Sequence, residues 1–308
     1  MQPWELILRK MSPGPFRGWI EYVQVNGILL YREHCTRRVM ATGSTPPGCF
    51  VFGSSSSPRT RSDWCGAKIA PGLLAFARAS TEIDVVIPEP SDHVVLLVPE
   101  ALLLEYLGEE LGQVVSGRAD RRLPCQARLG EALVRMIHGL IDEFLAWGEL
   151  PADDPMCKAV EWQLLGTIVQ LFGNGGFDAG RASPSKRRAA FLRGIKYGED
   201  LRQPISVPRF AAATGVSQRV LELAFHEALD ITPRKYLRWN RMNHARRQLL
   251  AAAASSTSVK EIAAQWGFSE PGRFAVEYKR LFGKSPSETL ARSIRMPPKR
   301  LTEILRQP

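Results

Sequence analysis

A stretch near the C-terminus occurs twice. Laid over itself with a shift of 52 residues, Ser206-Val207 through Ser217 matches Ser258-Val259 through Ser269, with identities at Ala211/Ala263, Ala212/Ala264, Gly215/Gly267 and Ser217/Ser269. Each copy reads as a short apolar helix, a tight turn carrying glycine, and a serine that opens a second helix. This is the pattern of a helix-turn-helix, in which the first helix braces the second so that the second can enter the DNA major groove. Two copies in tandem imply two recognition helices on one polypeptide, and so constrain the C-terminal third to an all-helical design.

Charge points the same way. The chain carries a net +10, yet residues 186–308 hold 24 Lys+Arg against 10 Asp+Glu, while residues 1–185 sum to −4. A basic run alone is usually a solvated face. Its coincidence with the repeated motif favours a partner made of phosphates, since Lys and Arg neutralising phosphates supply most non-specific DNA affinity.

The 308 residues are enough for about two domains, each with its own core. No apolar run approaches the ~20 residues of a membrane helix, and Met1-Gln2-Pro3-Trp4-Glu5 lacks the basic n-region of a secretory signal, so no membrane partner and a cytoplasmic location are expected. Five scattered cysteines, Cys35, Cys49, Cys65, Cys125 and Cys157, contain no C-x-x-C pair and read as reduced thiols rather than a disulfide frame or zinc site.

The first ~95 residues read as short strands at Trp19–Val25, Ile28–Arg32, Gly48–Phe52 and Val94–Val98, with turns at Asn26-Gly27, Pro46-Pro47-Gly48 and Gly53–Pro58. Such spacing suggests a small barrel or sandwich. A 3.6-residue period then marks helices at Ala101–Val115, Ala127–Trp147 and Met156–Phe172, whose apolar stripes either pack within the domain or form a dimer interface. The expected organisation is α+β and multidomain. It comprises a sensor or dimerisation domain over 1–175, with strands to about 98 and helices over about 100–173. A linker over 176–188, a DNA-binding domain over 189–295 and a tail over 296–308 follow.

In the first motif, Val207–Thr214 forms the brace, Gly215 the turn, and Ser217 the cap of a recognition helix over Gln218–Ala228. Val220, Leu221, Ala224 and Phe225 point inward, leaving Gln218, Arg219, Glu222 and Leu223 outside. Arg219 can pair bidentately with guanine and Glu222 can accept from cytosine N4. The alternative, in which Glu222 merely pairs with a nearby arginine, stays open. Thr232-Pro233 then opens a helix running to about Ala254, a rod of about 33 Å that carries Arg234, Lys235, Arg238, Arg241, Arg246 and Arg247. Its length is close to one turn of B-DNA, and Arg241 and Arg246 are among the candidate phosphate contacts.

The second motif has Val259–Gln265 as brace, Gly267 as turn, Ser269 as cap and Glu270–Leu281 as recognition helix, with Phe274, Tyr278 and Phe282 inside. Arg273 is the outward residue for base contact, with Lys279 and Arg280 as phosphate partners. Ser285-Pro286-Ser287-Glu288 reads as a capping box opening a last helix.

Residues ~205–291, including ITPRKYLRWNRMNHARRQLL and SVKEIAAQWGFSEPGRFAVEYKRLFGKSPSETL, resemble the DNA-binding domain of the AraC/XylS transcription regulators. The run from Gly267 to Pro286 carries the most family-specific residues. The resemblance implies seven helices with two helix-turn-helix units joined by a long helix, binding asymmetric double-stranded DNA sites. It also implies a cupin-like N-terminal barrel for ligand binding or dimerisation, an inference that rests on domain order alone. Two departures stand out. Leu223 replaces a basic residue common in the family, and Glu270-Pro271-Gly272 leaves little side chain where the family reads bases. Gln218, Arg219 and Glu222 are therefore expected to carry more of the specificity.

If the N-terminal part is a sensor, Trp19, Tyr22, Tyr31, Phe50, Phe52, Trp64 and Phe76 could line its pocket, with Arg32, Arg37 and Arg38 meeting an anionic ligand. Aromatics at strand spacing are more often core. Only His34 and His93 fall in this region, without a His-x-His pair, so neither a metal, a cofactor nor catalysis is expected. The resulting expectation is a sequence-specific, non-enzymatic transcription regulator, an activator answering to a small-molecule effector, and a homodimer. An activator would also meet RNA polymerase. The alternative is a constitutive or architectural DNA binder whose N-terminal domain only dimerises or binds a partner protein.

Overall fold

The segments Cys49–Ser55 and Val94–Val98 are buried on both faces, which requires cover on both sides. The computed structural model describes residues 6–56, 62–69, 72–117, 122–123, 127–148, 154–173, 185–252 and 257–295. The strands are β1 (Leu6–Lys10), β2 (Gly18–Val25), β3 (Ile28–Cys35), β4 (Val39–Ser44), β5 (Cys49–Ser55), β6 (Ser62–Trp64), β7 (Ala67–Ile69), β8 (Leu74–Ala77), β9 (Glu82–Ile87) and β10 (Ser91–Pro99), followed later by β11 (Arg122–Leu123). They form a five-stranded sheet in the order β1-β4-β9-β6-β7 and a six-stranded sheet in the order β11-β8-β5-β10-β3-β2. The Asn26-Gly27 turn joins β2 to β3 with positive φ at both residues, 45° and 82°, as a two-residue hairpin turn of this composition requires.

Helices α1 (Glu100–Gly117, broken at Gly108), α2 (Ala127–Trp147) and α3 (Pro155–Gly173) bury their stripes against the six-stranded sheet. Phe50, Phe52, Phe76, Leu30, Val94 and Leu96 meet Leu133, Ile137, Ile141, Leu164 and Ile168 there in one continuous core. Of the expected helices, the second is found with both ends as read. Gly53–Ser55 of the expected turn at Gly53–Pro58 belong instead to β5, and residues 57–61 lie outside the described residues. Cys35, Cys49, Cys65 and Cys157 are not joined in disulfides, and Cys125 lies outside the described residues.

The C-terminal helices are α4 (Lys186–Gly198), α5 (Val207–Ala213), α6 (Gln218–Leu229), α7 (Pro233–Ala251), α8 (Val259–Gln265), α9 (Pro271–Phe282) and α10 (Pro286–Arg295). The basic run Lys186-Arg187-Arg188, which reads as linker, is the first turn of α4, capped by the Ser185 hydroxyl on the Arg188 N–H. The remainder of the expected linker, 176–184, lies outside the described residues. Rod α7 has 19 residues, about 28 Å rather than 33 Å. Tyr236 of α7 packs on Phe225 at 4.8 Å in the first helix-turn-helix core, while Met242, Ala245 and Leu249 enter the second.

The chain divides into two compact units, and the division is not a single cut. One unit comprises Met1–Ile7, Arg17–Thr36 and Ala41–Arg181; the other comprises Leu8–Phe16, Arg37–Met40 and Ala182–Pro308. Within the second unit, Arg9 is 1% exposed and donates to Asn240 Oδ1 and Glu199 Oε1, each at 2.8 Å. The Lys10 backbone exchanges two hydrogen bonds with the Asn243 side chain, at 2.9 and 3.0 Å.

Candidate nucleic-acid interface and barrel cavity

On α6 the buried stripe is Leu221, Ala224, Phe225 and Leu229, which turns Gln218, Arg219, Glu222 and Leu223 to the surface. The Ser217 hydroxyl accepts from the Val220 N–H at 3.3 Å, so this serine caps the helix as read. Gln218 Nε2 donates to Glu222 Oε1 at 2.9 Å, one turn on. The partner of Glu222 is thus a glutamine on its own helix rather than an arginine. Arg219 is exposed, with no ion pair among the described residues.

The second recognition helix starts one residue later than the repeat predicts. Helix α9 begins at Pro271 with Glu270 in the cap position, and no side chain makes a cap hydrogen bond there. Ser269 is exposed and is not the cap. The physical reason is an extra residue after the turn. Up to Gly215/Gly267 the two units superpose with the shift of 52, whereas from the cap onward Ser217/Glu270, Phe225/Tyr278, Leu229/Phe282, Asp230/Gly283 and Pro233/Pro286 follow a shift of 53. Under that alignment two exposed aliphatic side chains, Leu223 and Val276, take the same place on the two helices, 40% and 71% exposed.

Arg273, Lys279 and Arg280 are exposed on α9. Arg273 Nε donates to Glu277 Oε1 at 3.1 Å, with Glu270 at 4.0 Å, and Glu277 also takes both arms of Arg238. Burial would raise the Glu277 carboxyl, but Arg238 and Arg273 hold it below its usual range. Lys279 and Arg280 sit in the last turn, where cations also complement the helix dipole.

Two arginines read as phosphate contacts lie elsewhere. Arg241 is 4% exposed, donates to the carbonyls of Trp266 and Gly267 at 3.0 and 3.1 Å, and stacks on Phe268 at 5.0 Å. It holds the second turn together and is not on the outer face. Burial, then Arg238, lowers its guanidinium to about 10, still charged near neutral pH. Arg246 is half-buried and lies over the Phe282 ring at 4.8 Å.

In the N-terminal unit, a small cavity opens between the two sheets. Strand alternation decides what faces it. In β3, Ile28, Leu30 and Arg32 point to the helices, and Leu29, Tyr31 and Glu33 point the other way. Antiparallel register then aligns Ser55 of β5, His93 of β10 and Glu33 of β3 in one row, with Gly53, Val95 and Tyr31 in the next. From the opposite sheet, Ser62 shares a hydrogen bond with His93 Nε2, and the Trp64 ring covers Gly53. Burial pushes the Glu33 carboxyl up to about 7 and lowers the His93 imidazole to about 4, against the pull of Asp92. The Tyr31 phenol is pushed well up, by burial first and by Glu33 second.

Of the expected ligand-site residues, Tyr31 and Trp64 line this cavity. Phe50, Phe52 and Phe76 do not, because they face the helices in the main core. Trp19 is 47% exposed and stacks on His34 at 5.9 Å. Tyr22 is partly buried on β2, away from the cavity lining. Arg32 is bound to Glu21 and Asp142 at 2.6 and 2.7 Å on the helix side, and Arg37 and Arg38 belong to the other unit. The pocket for an anion drawn from these arginines is therefore not formed. Among the described residues, no group of three or more His, Cys, Asp or Glu side chains could hold a metal ion, and no helix is long and apolar enough to cross a membrane.

The family described as AraC-binding-like domain matches residues 1–168, over half of the chain, and the helix-turn-helix domain family matches residues 210–292. The chain belongs to the AraC/XylS family of transcription regulators. The XylDLEGF operon transcriptional activator 1 of Pseudomonas putida is 34% identical over 224 residues, 72% of this chain and 67% of the relative. A "Probable thc operon regulatory protein" of Rhodococcus erythropolis is 48% identical over 89 residues, 29% of this chain and 27% of its own. A solved transcriptional regulator with an AraC-type DNA-binding domain from Chromobacterium violaceum is 30% identical, covering 34% of this chain and 91% of its own, with a TM-score of 0.32. Several matched segments span only 27–36% of the relatives' length.

For this AraC/XylS-family chain, reading the sequence missed Val276, Glu33, Ser55, Ser62 and His93. Val276 was legible once the cap was moved by one residue. The cavity row was not, since it depends on pairing between strands about forty to sixty residues apart.

Proposed function

We propose that this protein is a sequence-specific DNA-binding activator of transcription that responds to a small molecule held in its N-terminal unit. The observation that carries the DNA reading is the pair of recognition helices packed on one rod, each with an exposed outer face, in a region of net charge +14. Arg219 and the Gln218–Glu222 pair supply hydrogen bonds to base edges on the first helix, and Arg273 does so on the second after exchanging Glu277. Leu223 and Val276 offer apolar contact to thymine methyl groups at matching places. Lys279 and Arg280 face phosphates, and the exposed hydroxyls of Ser217 and Ser269 stand where the backbone approaches. Activation is supported by the activator names of the Pseudomonas relatives, and implies contact with RNA polymerase. A homodimer is the expected assembly for two such chains at one promoter.

The test is selection of sites from random duplex DNA by the full-length protein near physiological salt. The expected product is one site with two determinants about one helical turn, roughly 34 Å, apart. Binding that depends on salt but selects no sequence overturns this reading.

A further inference from the structure

Both recognition helices end against the same two segments from early in the chain. At the end of α6 the Leu229 carbonyl accepts from Arg38 Nη1. At the end of α9 the Leu281 carbonyl accepts from Lys10 Nζ, and the Arg280 carbonyl accepts from the Gly14 N–H at 2.9 Å. The last four carbonyls of a helix have no partner within it, and these three are drawn from that set. Each helix also turns off through a left-handed residue at the same place, Asp230 with φ 54° and Gly283 with φ 77°. At the second of these the early segment lies directly against the turn, since a Cβ on Gly283 would stand 2.8 Å from Pro15 Cα.

The donors are tied to one another. The Met11 N–H donates to the Arg38 carbonyl at 2.8 Å and the Arg38 N–H to Ser12 Oγ at 3.0 Å, so Leu8–Phe16 and Arg37–Met40 form one bracket within the C-terminal unit. The bracket is fixed to the rod α7 through Arg9 on Asn240 and the Lys10 backbone on Asn243. Lys10 is 8% exposed, so it does not face a phosphate, and its ammonium also donates to the Ser12 carbonyl. A buried cation is costly unless its protons find acceptors, and packing alone would be served by an aliphatic side chain. What the cation adds is a charged hold on carbonyls at the negative end of a helix.

We propose that Lys10 and Arg38 are positioning residues of the DNA reader. The bracket that carries them holds the C-terminal ends of α6 and α9 and fixes the separation at which the two helices meet the duplex. Rod α7 links the two units, and the bracket locks the far end of each recognition helix to that rod. This deepens the DNA reading above and rests on it.

The test uses the full-length protein near physiological salt and three kinds of duplex. They are the one it selects from random DNA, the same duplex with one base pair added or removed between the two determinants, and a scrambled duplex of equal length. One base pair displaces a determinant by about 3.4 Å. The unmutated protein is expected to prefer the selected duplex to the respaced ones by at least roughly tenfold. Lys10→Met and Arg38→Met remove the cation and keep an unbranched stem. Each should weaken the selected duplex by roughly tenfold and bring the respaced duplexes within about threefold of it, with the scrambled duplex unchanged within about twofold. Arg38→Lys, which keeps a charged donor, should retain the spacing preference. A parent indifferent to spacing, variants that resolve spacing like the parent, or equal losses on all three duplexes each overturns the proposal. Hydrogen exchange of the unmutated protein covers a variant that fails to fold. The amides of Lys10, Met11 and Gly14 should exchange within about tenfold of those in α9, as one cooperative unit, and exchange far faster than α9 overturns the bracket. Selection of no duplex removes the DNA reading and this proposal with it, whereas a selected duplex whose spacing both methionine variants still resolve removes this proposal alone.

Discussion

The two helix-turn-helix units share a plan and differ in what enforces it. In the first, Gly215 turns the chain with φ +65° into open space, and the Ser217 hydroxyl starts the next helix. In the second, Gly267 turns with φ +70° against other groups. A Cβ there would lie 2.7 Å from the Arg202 carbonyl oxygen, 2.8 Å from Pro204 and 2.9 Å from Arg241 Nη1. Helix α9 then begins without a side-chain cap, on Pro271. The first unit is thus specified locally, by a cap and a free turn. The second is specified by tertiary contacts around its glycine, with a buried arginine in the place of local signals. The same repeat can therefore respond quite differently to the same substitution.

The largest expected difference is between the two glycines. Gly267→Ala should lower stability by about 3 kcal/mol, combining a left-handed backbone with overpacking, whereas Gly215→Ala should cost about 1 kcal/mol. Urea unfolding of the two variants measures both, and equal losses would break the contrast. Next come the two arginines. Arg241→Met strips the Trp266 and Gly267 carbonyls of their donor and should destabilise by about 2–3 kcal/mol. Arg219→Ala should leave stability within about 0.5 kcal/mol while weakening the selected site by about 1–3 kcal/mol. If Arg219→Ala bound that site like the parent, the first helix would not be reading bases through this residue.

Caps give a smaller and opposite pair of effects. Ser217→Ala should cost about 1 kcal/mol, while Glu270→Ser should gain about 0.5 kcal/mol by supplying the cap that α9 lacks. A loss on Glu270→Ser would show that the carboxylate near the helix start matters more than the missing hydroxyl. The smallest effects are at the aliphatic pair. Leu223→Ala and Val276→Ala should each weaken the selected site by up to about 1 kcal/mol, and only where a thymine stands opposite. A uniform loss across all sites would point to packing instead.

Most of the helical plan was legible, because a 3.6-residue period, glycine turns and serine or threonine caps are local signals. The capping box of α10 lies where Ser285 and Glu288 place it, at 2.6 and 3.1 Å. The box at Ser258 and Glu261 follows the same rule and was overlooked. Arg241 was also recoverable, for it stands one turn from Leu237 and from Ala245 on the buried stripe of α7. The barrel was harder. Both faces of its central strands β5 and β10 are buried, so alternation alone cannot say which parity meets the helices. Phe50 and Arg32 took one parity and Tyr31 and Glu33 the other, and only the pairing of β3, β5 and β10 assigns the cavity to the second. The repeat itself misled at Ser269, where matching identity concealed a single inserted residue.

The segment Leu8–Phe16 gives the C-terminal unit one of its own walls from about two hundred residues upstream. Arg9 fills the buried acceptors of Asn240 and Glu199, and the Lys10 backbone pairs with Asn243. A polypeptide grows from its N-terminus, so these few residues leave the ribosome well before the helices they pair with and meet their partners only when those helices have been made. A fragment cut at the start of α4 would carry both recognition helices and still be an incomplete object, with asparagines built to be roofed by main chain and guanidinium left facing water.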